Sequence, residues 1–419
     1  MRLLDAGPRL QLGATCPEPD RRTWGFKADG GSYDWYRVRA VGGRSWLWGG
    51  WCYRFDQRAL ERAGWPRRAR RLAAAYRRVE RRLGVVEGLV DERYRRVAEE
   101  IGSRALPKRG AMSSPSTAWN ATSASAAQRA GTWEVALHVE TKGHHATCVE
   151  TLDLRKEKRR QVRARAIVLA ASPVETARIL LRSDVDAARW GIGRNFTDHM
   201  VASVVLLEPV PPPPRDGRGP FPGAALIENF VNVDDASRQP YRGGFSVEVS
   251  GPVSLPSLGI ERMVPGAEVD QWSATQVHAM GEVFPDPQRY VDLHPELRDA
   301  WDRPVPFIHM GWSDADRAMA QDIKQACISI ADLMAVPGSR VIPFHDPLLA
   351  GAGHEAGTCM MGDHGAGACN GDGRLRALAN VWIADASVMP TPGDRHPSLT
   401  LLAHATRVGH AVKRWIASR

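Results

Sequence analysis

The sequence predicts an α/β protein that carries a second, sheet-containing lobe. Three observations lead there. Residues 132–181 run from alternating strand-like segments into a short apolar stretch and then a helical pattern. The same strand-then-helix texture returns at the C-terminus in "ANVWIADAS" and "HPSLTLLAHATRVGHAVKRWI". Between the two, from about residue 200, a Pro/Gly-rich stretch and longer alternating segments mark a different body of chain.

Taken in order, Met1 to Leu4 make a short apolar strand ended by the acid Asp5 and turned by Gly7-Pro8. Leu72, Tyr76, Val79 and Leu83 recur at helical spacing within "RRARRLAAAYRRVERRL", so a helix with a solvated Arg face is expected there, inside a helical insertion at about 57–130. A meander follows from residue 132, with a Lys-Gly turn and the charged turn "RKEKRR". The run 166–171 is a buried strand, and "PVETARILLRS" a helix with Pro173 in its first turn. Beyond "EPVPPPPRDGRGPFPG" come strands at "GFSVEVS" and "QVHAMGEVF" and a helix at "DADRAMAQDIKQACISIADLM". The expected division is 1–200, 201–340 as the lobe, and 341–419. No internal repeat is found.

The 419 residues carry a net charge of +9, yet no aromatic-interleaved basic motif accompanies it, which argues against nucleic acid. Six scattered cysteines form no disulfide framework and fit a reducing compartment. No leader pattern and no apolar run of membrane-spanning length is found, so the expected location is cytoplasmic, with no membrane span.

Three constellations could carry chemistry. In "RAVGGRSWLWGGWCYRF", the glycine pairs Gly42-Gly43 and Gly49-Gly50 flank Ser45 and Trp48 and permit close backbone approach to a flat or anionic ligand, or simply a tight turn. In "AGHEAGTCMMGDHGAGAC", His354, Cys359, His364 and Cys369 recur every five residues. Zinc ligands usually come as close pairs across a longer loop, so no metal is expected, although a zinc-stabilised binding protein stays a competing reading. In "NVWIADASVMPTPGDRHPSLTLLAHATR", a strand ends at Asp385 and a helix begins at His396-Pro397, offering an electropositive N-terminus. A returning strand between His354 and His396 would bring two imidazoles, the side chains suited to proton transfer near neutral pH, to one place.

These segments together resemble the glucose–methanol–choline (GMC) family of flavin-dependent alcohol oxidoreductases. "GHEAGTCMMG" is similar to the family's first catalytic segment, and "NVWIADASVMPT…HPSLTLLAHATR" to its C-terminal signature. "ARAIVLAASPVETARILLRS…GIGRNFTDHM" and "VGGRSWLWGG" match its central strand–helix and its glycine segment along the flavin. The resemblance implies a Rossmann-like FAD-binding domain with an α+β substrate-binding lobe, and oxidation of a CH–OH group of an alcohol or sugar with hydride transfer to flavin N5. It implies His354 as general base, His396 as its partner on the substrate oxygen, and the helix at Pro397 aimed at the flavin. Asp385 and Ala386 would lie by the ribityl–pyrophosphate part of FAD, Val139 by adenine, and Gly42, Gly43, Ser45, Trp48 and Gly49 along the ring.

Asp5 corresponds to the acid on the adenosine ribose, which in a βαβ unit stands about 20 residues after a G-x-G-x-x-G turn. That turn and its strand do not precede Asp5 here, so the first βα unit is missing, and a start placed inside a longer frame is the expectation. A truncated or degenerate relative without flavin binding or activity is the alternative. Leu47 occupies the place of a histidine that links covalently to flavin in one branch, so non-covalent FAD is expected. The electron acceptor is not legible.

Overall fold

A computed structural model describes residues 3–6, 27–29, 33, 35, 37–112, 130–213, 223–228 and 240–419. The largest element is a six-stranded antiparallel sheet in the order Arg340–Leu349, Met200–Glu208, Ser273–Gly281, Phe245–Ser254, Ala224–Ile227, Ala105–Pro107. Of its two outer members, Ala105–Pro107 lies outside the 201–340 boundaries expected for the lobe, and Arg340–Leu349 begins at their last residue. Strand pairing is non-local, and short segments such as Ala105–Pro107 carry no alternation long enough to announce it. The stretch expected as a helical insertion likewise mixes helices (Gln57–Arg62, Ala73–Leu83, Glu92–Glu100) with strands (Val85–Glu87, Ala105–Pro107, Arg109–Ala111).

The sheet packs one face on the helix Asp314–Met334, whose start is fixed by a capping box between Ser313 and Asp316. Val247, Val249, Val277, Ala279, Val204 and Leu206 fill that interface with Ile323, Cys327 and Ile330. The alternate residues point the other way, and they are polar in the middle of the sheet.

The α/β part is built from shorter pieces. Ile167–Leu169 pairs in parallel with Val381–Ile383, and Leu3–Leu4 with Ala130–Gly131. Among the described residues no strand joins these two pairs. Val168 is 46% exposed, unusual for a parallel strand, since such sheets are normally covered on both faces. Helix Pro173–Leu181 follows the first pair as expected, and the three-stranded meander Glu134–Lys142, His145–Asp153, Lys158–Arg163 lies beside it. The expected Arg-rich helix is Ala73–Leu83, and Leu72, Tyr76, Val79 and Leu83 are all buried in a core shared with the C-terminal helix Ser398–Ala417. No helix among the described residues is long and apolar enough to cross a membrane.

Candidate active site

His354 and His396 stand 42 positions apart, and the chain between them folds back as anticipated. Backbone N–H groups of Gly357, Cys359 and Met361 donate to the carbonyls of Met389, Ser387 and Val388. This pairing sets the two imidazole rings 5.1 Å apart, edge to face. The turn that delivers His354 depends on backbone that ordinary residues avoid. Gly357 has φ +83°, and a Cβ there would lie 1.8 Å from the Asn195 carbonyl oxygen. Thr358, β-branched, holds φ +68° while its hydroxyl donates to the Pro173 carbonyl at 2.9 Å.

Around the pair lies a shell that the motifs did not announce. His354 Nδ1 is 3.1 Å from His199 Nδ1, and His199 Nε2 is 3.0 Å from the Gly393 carbonyl oxygen. Asp198 Oδ1 accepts the backbone N–H groups of both His199 (2.6 Å) and His354 (2.9 Å). Burial pushes the Asp198 carboxyl up to about 8, and its Oδ2 has no hydrogen-bond partner. Burial pulls His199 down to about 3, and burial with the neighbouring His199 holds His354 well below the usual histidine range. Next to His354, Glu355 is clasped by both terminal nitrogens of Arg44, from the glycine-rich turn.

His396 stacks on Trp51, with ring centroids 5.6 Å apart and planes 11° from parallel. Lys108 sits over the same Trp51 ring at 4.2 Å. His396 Nε2 lies 2.5 Å from Glu248 Oε1, outside hydrogen-bond alignment, so neither atom has a filled hydrogen bond. Glu248 belongs to the large sheet. It pairs across strands with His278, His278 with Ser203, and Ser203 with His345. Directly opposed residues share a face, so the four form one polar row over four strands. Ser203 Oγ is buried and also lacks a partner.

The residues expected along a flavin divide. Gly42 and Gly43 have φ of +105° and +53°, and a Cβ on Gly43 would meet nothing within 4 Å. Ser45 Oγ donates to the Gly42 carbonyl, closing this turn. Trp48 Nε1 is buried without a partner, and a Cβ on Gly49 would only touch the Trp51 ring. The helix Ser398–Ala417 starts after Pro397 with no side-chain cap, leaving its first N–H groups to an outside acceptor. An open glycine turn, an orphaned indole N–H and an uncapped terminus fit a planar ring edged with hydrogen-bond acceptors, such as flavin. The other positions are engaged within the protein. Asp385 is buried, and it takes Ser387 N–H and hydroxyl on Oδ1 and the Thr176 hydroxyl on Oδ2. Ala386 begins a short 3-10 turn. Val139 donates its N–H to Ser183 Oγ. The backbone carbonyl of Asp5 accepts from Glu134. Cys359 and Cys369 are fully buried while His364 is exposed, and among the described residues no cluster of metal-ligating side chains occurs.

Family models of GMC oxidoreductases match residues 101–201 and 285–405, together just over half of the chain. The chain belongs to the GMC oxidoreductase family. It is 25% identical over 305 residues to 6'''-hydroxyparomomycin C oxidase of Streptomyces lividus, covering 70% of this chain and 52% of that protein. It is 28% identical over 267 residues to C-glycoside 3-oxidase of Microbacterium trichothecenolyticum, covering 62% and 49%. The chain thus spans about half the length of the curated relatives it matches. Pyridoxine 4-oxidase from Mesorbium loti shares the fold at a TM-score of 0.65 and 18% identity, with 98% of this chain and 94% of that chain covered. A mixed α/β fold with a Rossmann-type part is therefore common to this chain and its GMC relatives.

Proposed function

We propose that the protein oxidises a CH–OH group of an alcohol or sugar, using non-covalent FAD, with His354 as general base and His396 as second ligand of the substrate oxygen. The observation that carries this is the facing pair of imidazoles, 5.1 Å apart, both with ring nitrogens that take no hydrogen bond from the protein. FAD, when bound, supplies the hydride acceptor. Gly42, Gly43, Ser45, Trp48 and the helix at Pro397 would hold its ring. His354 Nε2 takes the hydroxyl proton as hydride leaves carbon, and His396 fixes the oxygen between the two rings. Trp51 stacks on the His396 ring and keeps its plane, and Glu248 lies beside its Nε2.

The row Glu248, His278, Ser203, His345 favours a polyhydroxylated substrate over a simple alcohol. Glu248 Oε1 and Ser203 Oγ are buried without partners, which is costly, and hydroxyls of a sugar would satisfy them. Leu47, 44% exposed, offers no nucleophile to a flavin carbon, so acid precipitation of loaded protein should leave a colourless pellet and a yellow supernatant.

The test is anaerobic stopped-flow bleaching of bound flavin by a sugar or alcohol found by screening. His354→Ala should slow reduction by about 10²–10⁴-fold with FAD retained, His396→Asn by less, and Cys359→Ser hardly at all. Failure of the protein to take up FAD would instead support a relative that keeps the fold without the chemistry.

A further inference from the structure

Two neutral imidazoles can share a hydrogen bond through like-named nitrogens only if one carries the proton and the other does not. His199 and His354 meet in this way, Nδ1 to Nδ1 at 3.1 Å. Which ring carries the proton is fixed from outside the pair. The Gly393 carbonyl, 3.0 Å from His199 Nε2, has no proton to give, so His199 Nε2 must be the donor. His199 is fully buried, and its burial opposes a second proton, so its Nδ1 presents a lone pair. The proton between the rings therefore belongs to His354 Nδ1. Since His354 is itself held neutral, its Nε2 is bare. No described group donates to that nitrogen, and it is the one left to meet a substrate hydroxyl.

We propose that His199 is a positioning residue: by accepting from His354 Nδ1 it holds His354 in the tautomer whose Nε2 can accept a proton. The chain of bonds is Gly393 carbonyl, His199 Nε2–H, His199 Nδ1, His354 H–Nδ1, His354 Nε2. Asp198 anchors it by taking both backbone N–H groups on one oxygen, so the rings cannot drift apart independently. Gly393 is itself fixed, with φ +81° and a Cβ position that would strike the Phe55 ring at 2.3 Å. In a proton-transfer step the bond made is His354 Nε2–H and the bond broken is substrate O–H. The His354 Nδ1 proton stays in place and points at His199, which spreads the new positive charge. That catalytic consequence rests on His354 being the base, whereas the tautomer itself does not.

The protein as it exists, labelled with ¹⁵N-histidine and examined by NMR at pH 7, tests the assignment without flavin or substrate. His354→Gln identifies the His354 resonances by their loss. The expected result is a protonated Nδ1 and an unprotonated Nε2 on His354. A His354 proton on Nε2 overturns the proposal in the native protein alone, whatever the variants do. His199→Phe removes the acceptor and should move the proton to Nε2, while His199→Asn, whose amide oxygen falls near the lost Nδ1, should restore it to Nδ1. An unchanged tautomer in a folded His199→Phe also overturns the proposal. In the FAD-loaded protein, His199→Phe should lower the maximal rate of flavin reduction by about 10²–10⁴-fold, the range a wrong tautomer produces elsewhere, with little change in substrate half-saturation. His199→Asn should recover most of that rate. If the tautomer switches as expected and His354→Ala leaves reduction intact, the base assignment fails and the relay stands.

Discussion

The large sheet and the loops opposite it both present polar side chains to the same imidazoles, but they hold them by different means. Glu248, His278 and Ser203 sit on continuous antiparallel ladders, where backbone position is independent of side-chain identity. His354, Glu355 and His396 sit on turns held by a few backbone bonds, left-handed residues and one capped acid, Asp385. The sheet can therefore change residues without moving backbone, and the loops cannot. Under the proposed function, substrate reading falls to the tolerant side and proton chemistry to the intolerant side.

Four substitutions test that contrast, from the largest expected effect down. Gly357→Ala places a Cβ against the Asn195 carbonyl and forces φ +83° on alanine, so a loss above about 3 kcal/mol is expected by denaturant unfolding. A loss under 1 kcal/mol would show that the loop yields as readily as the sheet.

His404, on the C-terminal helix behind the loops, is fully buried with both ring nitrogens unpartnered, and burial lowers it to about 3. The unfolded chain binds its proton near pH 6.5, so this neutral histidine contributes its full share of stability above that pH and loses it as pH falls toward 3. The loss is about 1.4 kcal/mol per pH unit, or about 2 kcal/mol between pH 7 and pH 5. Asp198, raised to about 8, slopes the other way between its unfolded value and pH 8, but it is common to native and variant. His404→Gln should therefore lose about 2 kcal/mol less than the native protein over that interval. Equal slopes would remove His404 from the balance.

On the sheet, Ser203→Ala should leave the melting temperature within error and lower kcat/KM for a polyol several-fold, about 1 kcal/mol of hydrogen bonding, with a monohydric alcohol unaffected. A matching loss for both substrates would take the row out of recognition. Val168→Ala is the smallest. At 46% exposure this strand residue should cost under about 0.5 kcal/mol, whereas a covered parallel strand would cost more.

Local periodicity made much of this legible. The helices at Ala73–Leu83, Pro173–Leu181 and Asp314–Met334 and the meander from Glu134 follow from apolar spacing and turn residues. Pairing did not, because Arg340–Leu349 finds Met200–Glu208 across more than a hundred residues. At the site, His354 and His396 were readable from ordered motifs. His199 lay inside a motif quoted for family resemblance, "GRNFTDHM", but its partner is 155 positions away and no spacing encodes that. Glu248 was hidden for another reason. In "GFSVEVS" the alternation suggests valines inward and polar residues toward water, yet the polar face meets His396 instead of solvent.

The polar row has a consequence for how such a protein diversifies. Glu248 touches His396 and, in the proposed function, also meets the substrate, whereas His345, at the far end of the row, is exposed. A lineage that altered residue 248 to admit a new substrate would alter the second imidazole in the same step, so both traits are inherited as one. Changes at residue 345 carry no such linkage. Drift in substrate preference should accumulate from the outer strand inward, and sequences that have switched substrate should differ first at the end of the row most distant from the proton.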